Sequence, residues 1–280
     1  MFSARLKSVN FHEKFTAFFI HFGISLVIFL ILGWLIYFQW YPVPFFYSDG
    51  GWQGLRLIAF VDLVLGPSLT FIVFKRGKPS LKFDLTLIGL AQLAALIWGV
   101  WTVQNEKPVA LVFADESFRT IPHYQFVEAG LQLKRLKQFG KTTPVKIFVE
   151  TPKDPLVRLK LYEQIMKTKG HLFLYGDLYR ALTDNNKAII SKKSINMTEY
   201  LAESEYIANK AEDQIKFKKF MLEADKNESE YLFLPYLARF NYYFLVIDKN
   251  NWDSVKLLDI RPPQAYSREI KVNRNKQNVK

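Results

Sequence analysis

The 280-residue chain contains no cysteine. Disulfide bridges, a thiol nucleophile and cysteine-ligated metal or iron–sulfur centres are therefore excluded. Histidine is scarce too, and His123 and His171 of the distal half stand alone in sequence. No G-x-S-x-G, H-E-x-x-H, phosphate loop or dinucleotide fingerprint occurs. Asp115 and Glu116 follow a strand-like run, but a turn is the more common reason for such a pair. The usual set of nucleophile, base and stabiliser is missing, so no enzyme activity, cofactor or metal is expected. Lys and Arg are plentiful, with a formal net charge of +12, yet they are scattered and form no reading motif. Nucleic acid is accordingly not an expected partner.

Charge is also scarce in three long stretches, and these dominate the first third of the chain. Residues 17–38, 55–74 and 83–103 are almost wholly apolar. Each has about the 20 residues that a helix needs to cross ~30 Å of hydrocarbon. A backbone in lipid must satisfy its own hydrogen bonds, so helix is the expected form. The first run follows basic residues, as a signal peptide does, but it exceeds the usual ~7–15 apolar residues and no small-x-small cleavage site follows. It reads as an uncleaved anchor.

Lys and Arg are absent from QWYPVPFFYSDGGWQG (39–54), the segment between the first two runs. Arg5, Lys7 and Lys14 precede the first run, and Lys75, Arg76, Lys78 and Lys82 lie between the second and third. The positive-inside rule then places the N-terminus and the 75–82 loop in the cytoplasm, and everything after Val103 on the far side. In a bacterium with an inner membrane that side is the periplasm. The expected organisation is a basic cytoplasmic segment (1–16), a three-helix transmembrane domain (17–103), a periplasmic mixed α/β domain (104–264) and a disordered basic tail (265–280).

Two charges interrupt the second run. Arg56 lies near its outer end, where a long stem can reach the headgroups. Asp62 sits deeper, about 10 Å in at ~1.5 Å per residue. Ala59, Asp62, Gly66 and Thr70 share one small, polar helical face. The third run carries a matching stripe of Gly89, Gln92, Ala95 and Gly99. Small residues let helices approach closely in lipid, and Gln92 could hydrogen-bond Asp62 if the stripes meet. Gly66-Pro67 suggests a kink beside the acid. Intramembrane acids are functional candidates. With no second titratable group at similar depth, Asp62 reads as polar glue or a partner-docking group in preference to an ion-transport site. The 39–54 segment is aromatic and turn-rich, with Trp40, Tyr41, Pro42, Pro44, Phe45, Gly50, Gly51 and Trp52. It reads either as resting on the bilayer or as a docking surface.

In the distal half, 108–114 and 144–150 read as strands, and 154–169 as a helix with Leu156, Leu159, Tyr162 and Met166 on one face. A longer helical stretch covers about 197–224, including Tyr200, Leu201, Tyr206 and Ile207. YYFLVIDKNNWDSVKLLDI reads as two strands about an Asp-Lys-Asn-Asn turn.

Several motifs carry a resemblance. W-Y-P-x-P-F (40–45), G-G-W-Q-G-L (50–55) and V-D-x-V-L-G-P-x-L-T (61–70) resemble the TfpX/TfpZ family of type IV pilin accessory proteins, as do P-V-A-L-V-F (108–113) and L-P-x-x-A-R-F (234–240). The dense part covers about residues 34–118. The chain departs at Asp115-Glu116-Ser117-Phe118, where that family tends to have Val-Asp-Arg-Phe, so no site is carried over from there. The resemblance implies a non-enzymatic inner-membrane factor for type IV pilus assembly. Its partners would be the major pilin or the assembly platform proteins, together with membrane lipid. On this reading the face of Asp62, Gly66 and Pro67, with Gln92, receives a partner helix such as the pilin's N-terminal helix, and Arg56 pairs with that helix's acid. The first span lacks the Glu of a pilin helix, so the chain is not itself a pilin. The alternative is a membrane-anchored periplasmic sensor or ligand-binding module.

Overall fold

The computed structural model describes residues 11–168, 170–203 and 210–262. Arg5, Lys7, Lys169, Tyr206, Ile207 and the tail 265–280 lie outside the described residues. The chain forms two compact units. One runs to Trp40 and resumes from Gly50 to Asn105. The other joins Tyr41–Asp49 to the residues from Glu106 onward.

The first unit holds three long apolar helices, Phe11–Trp40, Gly51–Val73 and Leu81–Glu106. The first two pack antiparallel. Arg76 pairs with Glu13 at 3.0 Å, Lys14 Nζ donates to the Ile72 carbonyl at 3.2 Å, and His21 Nδ1 lies 2.6 Å from Thr70 Oγ1. Phe71 packs against Phe15 and Phe18, with ring centroids 5.1 and 6.4 Å apart. The second and third helices are also antiparallel: Gly54 meets Val103, Ile58 meets Gly99, and Gly66 meets Gln92. Their outward faces are apolar and exposed, among them Ile31, Ile72, Phe83 and Trp98.

The second helix is not a uniform α-helix. Residues Phe60–Leu65 form a π-helical stretch, and the Gly66 N–H donates to the Val61 carbonyl. Pro67 follows at once. Proline cannot donate, and its ring crowds the preceding turn. The wider turn just before it takes up the irregularity, so what reads in sequence as a Gly-Pro kink is a π-turn that contains Asp62.

The second unit is built on a seven-stranded mixed sheet in the order β4-β3-β1-β2-β5-β6-β7. The strands are β1 Pro108–Ala114, β2 Ser117–Pro122, β3 Val145–Val149, β4 Tyr179–Ala181, β5 Tyr231–Leu237, β6 Tyr242–Asp248 and β7 Ser254–Leu258. β1 runs antiparallel to β2 and parallel to β3, and β2 runs parallel to β5. Side chains alternate between faces, as the pleat requires. Ala110, Val112 and Ala114 join one cluster with Ile147, Ile165 and Phe173. Leu111 and Phe113 join the opposite one with Phe118, Leu234 and Leu245. A third cluster packs Met197, Leu201 and Phe220 on Phe233, Phe244 and Val246.

β2, β4 and β5 were not anticipated. β5 contains Pro235, which argues against a strand when read alone, and it pairs with β6 nonetheless. Asp115 (φ 47°) and Glu116 (φ 63°) form the two-residue turn between β1 and β2, with Ala114 facing Ser117 across it. The expected helix runs from Pro155 to Lys167, with Asp154 capping it by accepting from the Leu156 N–H at 2.7 Å. Its buried face differs from the expected one. Ile165 is buried with Leu161 and Tyr162 beside it, while Leu156, Leu159 and Met166 are exposed. Apolar residues occupy two sides of this helix, and periodicity cannot say which side meets the sheet. The predicted stretch 197–224 contains the helices Met197–Glu203 and Lys210–Glu223.

Candidate functional site

The first candidate lies in the helical unit. Gly66 lies directly against its neighbour: a Cβ there would fall 1.7 Å from Gln92 Nε2, so the Gln92 amide would have to move to admit one. The two stripes therefore meet at Gly66 and Gln92, but not along their whole length. A Cβ at Gly89 would meet nothing within 4 Å, whereas Gln92, Gly99 and Val103 of the third helix lie against Gly66, Ile58 and Gly54. Asp62 is buried at 5% exposure. Its Oδ2 is buried without a hydrogen-bond partner, so the expected bond from Gln92 does not reach that oxygen. Thr70, from the same stripe as Asp62, is instead engaged by His21 of the first helix. Arg56 is exposed, with its guanidinium 5.9 Å from the ring centre of an exposed Trp52.

The second candidate was not foreseen. Tyr41, Phe45 and Phe46 are buried, and Ser48 and Asp49 are buried with them. The aromatic segment is therefore not the exposed loop that its composition suggests. Phe45 packs in the cluster of Leu111, Phe118 and Tyr236, its ring centre 5.8 Å from that of Tyr236. A short helix, Phe45–Ser48, holds it there, with the Phe45 N–H donating to the Pro42 carbonyl at 2.9 Å. Trp40 and Pro42 are half-buried. Gly50, at φ 106°, turns the chain into the second long helix, where Gly51 is the first residue. Only glycine adopts that backbone conformation without strain.

This packing delivers a carboxylate to the side of the sheet. Asp49 Oδ2 accepts from Tyr236 Oη at 2.6 Å and from Ser48 Oγ at 2.5 Å, and its Oδ1 accepts from Thr120 Oγ1. Thr120 Oγ1 and Tyr236 Oη are 3.1 Å apart. Burial pushes the Asp49 carboxyl above its ordinary range, and these hydrogen bonds only partly oppose it. Burial and the neighbouring Asp49 push the Tyr236 phenol well up.

A cavity of about 220 Å³ opens beside Asp49, lined also by Glu106, Arg119, Thr120, Gln125 and Arg239. The Arg239 guanidinium grips Glu106 with two hydrogen bonds. Arg119 lies 5.8 Å from the centre of the Phe173 ring. The pocket is polar and internally ion-paired, suited to holding shape or a small polar group. Among the described residues no cluster of His, Asp and Glu could hold a metal ion. Arg239 stands within L-P-x-x-A-R-F, but nothing in the sequence joins it to Asp49.

The family described as FimB, fimbrial assembly protein FimB, matches residues 9–49, which run through the first long helix and end at Asp49. Three proteins of Dichelobacter nodosus are similar over 105 residues. The "Fimbrial assembly protein, serogroup E1" is 40% identical over 36% of this chain and 40% of its own length. The "Fimbrial assembly protein, serogroups C1 and C2" is 39% identical over 36% of this chain and 79% of its own length. The "Fimbrial assembly protein, serogroup I" is 38% identical over 36% of this chain and 40% of its own length. The chain thus spans 40% of the length of two of these relatives. No solved structure matches.

Proposed function

Since the chain belongs to the FimB family of fimbrial assembly proteins, we propose that it is a non-enzymatic factor for biogenesis of type IV pili, of the TfpX/TfpZ pilin-accessory kind. The similarity to relatives named as fimbrial assembly proteins is the observation that carries this reading. It acts in the inner membrane, crossing it with the three apolar helices. The N-terminus is cytoplasmic and the sheet domain periplasmic, as the lysine-free and arginine-free segment between the first two helices supports.

Its partner is the major pilin or a platform protein of the assembly machinery. The buried, unpartnered Oδ2 of Asp62 supports a docking role for that face, because a bare acceptor in an apolar setting is costly until a donor arrives. A pilin helix brings a positive N-terminus that can supply the donor, and Arg56 is exposed for its acid.

The test is a clean deletion in the native host, with surface pili counted and total pilin measured in the same cells. Fewer pili with pilin still present is the expected result. Unchanged pili would overturn the assembly reading. A photo-crosslinker at position 62 or 66 should capture pilin or a platform protein. Capture only from positions on the outward faces would remove the docking role of the Asp62 face while leaving the assembly role intact.

A further inference from the structure

A second cleft in the sheet unit, of about 610 Å³, differs in kind from the ion-paired pocket at Asp49. Every titratable side chain that lines it is basic: Lys107, His123, Lys137 and Lys141. Its floor is apolar, formed by Val109, Leu133, Leu136 and Val145. Thr142 and Thr143 add hydroxyls at the rim. The backbone holds the two inner groups together, since the His123 N–H donates to the Lys107 carbonyl at 2.9 Å. A bulge in β1, between Pro108 and Ala110, interrupts the pairing at Val109 beside them.

We infer that this cleft binds the phosphate of an anionic phospholipid headgroup, with the glycerol and the start of the acyl chains on the apolar floor. Three observations converge. First, the ionisable side chains that line the cleft are all basic, a set that suits an anionic ligand. Second, the inner basic groups, Lys107 and His123, are partly withdrawn from water. Burial holds the Lys107 ammonium below its ordinary range, and burial together with Lys107 does the same to His123. His123 Nδ1 is buried without a hydrogen-bond partner. A bound phosphate would favour both charged forms and give Nδ1 an acceptor. Third, Lys107 is the residue directly after the third apolar helix, which ends at Glu106. If that helix spans the bilayer, as proposed above, Lys107 stands at headgroup level, where basic pockets meet lipid phosphates. The inference rests on the membrane reading in this last respect alone.

The experiment uses the full chain in nanodiscs of phosphatidylcholine, with or without phosphatidylglycerol. Native mass spectrometry reads the lipid retained, and the imidazole resonance of His123, assigned through His123→Gln, reads the site. The expected result is preferential retention of phosphatidylglycerol, with His123 shifted toward its protonated form in the anionic discs. Lys137→Gln and Lys141→Gln, both at exposed side chains, should each reduce that retention about fivefold. Because these side chains stand in water, a folded variant is expected and circular dichroism verifies it. Equal retention of both lipids, or retention unaffected by the two substitutions, would overturn the site. Inorganic phosphate added to phosphatidylcholine discs provides the second arm. An equal His123 shift there would assign the cleft to a soluble phosphate and overturn the lipid. Failure of the chain to enter nanodiscs at all would count against the membrane reading itself, a result distinct from insertion without lipid selection.

Discussion

Tyr236 donates its phenolic hydrogen to Asp49 across 2.6 Å, joining two residues that lie 187 positions apart. That bond ties the segment between the first two long helices to the centre of the distal sheet. The segment covers Tyr41–Asp49 and belongs to the sheet unit.

Removing the phenol tests how much the tie contributes. Tyr236→Phe keeps the ring against Phe45 and deletes one hydrogen bond to a buried acid. The expected loss is about 1–3 kcal/mol, read as a lower midpoint in thermal unfolding of the detergent-solubilised chain. No loss would mean that Thr120 and Ser48 satisfy Asp49 without it.

Asp49 also sets a pH dependence. Burial raises its carboxyl above the ordinary range, so the folded chain binds this proton more tightly than the unfolded chain does. The stabilisation is complete below the ordinary carboxylate range, and it is lost as pH rises through the raised folded value. Unfolding midpoints measured across that interval should fall with pH in the natural protein. They should be flatter in Asp49→Asn, which cannot ionise. Parallel curves would show that Asp49 does not titrate differently on folding.

Two glycines in the helical unit should respond differently to a methyl group. At Gly54 a Cβ would meet Val103 Cγ2 at 2.4 Å, and at Gly66 it would meet the Gln92 amide. Val103 is β-branched and stiff, whereas a glutamine side chain can swing aside. Gly54→Ala should cost about 1–3 kcal/mol and Gly66→Ala less. Adding Gln92→Ala should restore most of the loss at Gly66. A Gly66 loss as large as that at Gly54, and unrescued, would mean that Gln92 is held rigidly.

The turn after β1 carries avoidable backbone strain. Glu116 has φ 63° and its side chain pairs with Lys193 at 2.5 Å, while Asp115 accepts from Tyr162 at 2.7 Å. Glycine suits the second position of such a turn. Glu116→Gly should raise stability by about 0.5–1 kcal/mol, because the exposed ion pair it removes contributes little. A drop in the unfolding midpoint would show that the Lys193 contact outweighs the strain.

What was legible from sequence alone was whatever short-range pattern determines. Three helices follow from long apolar runs, and β1 from a compact run of β-formers. The pair β6 and β7 follows from two such runs around a polar turn. Each is decided within a few residues, where hydrophobic periodicity and turn chemistry act directly. Even there a local pattern can serve two faces, and so Ile165 is buried where Leu159 and Met166 were expected. Gly89 shows the same limit: it continues the small stripe of the third helix but meets nothing.

Tertiary structure alone decided the rest. Composition marks 39–54 as aromatic and turn-rich, which reads as a segment resting on the bilayer or as a docking surface and gives no sign of burial in the distal sheet. The choice was made by burial against Leu111, Phe118 and Tyr236, contributed by strands formed far along the chain. The same holds for Asp49, whose hydroxyl donors come from Ser48, Thr120 and Tyr236. Hydrogen bonds to a buried carboxylate need partners brought together by the whole sheet, and no local window of sequence contains them.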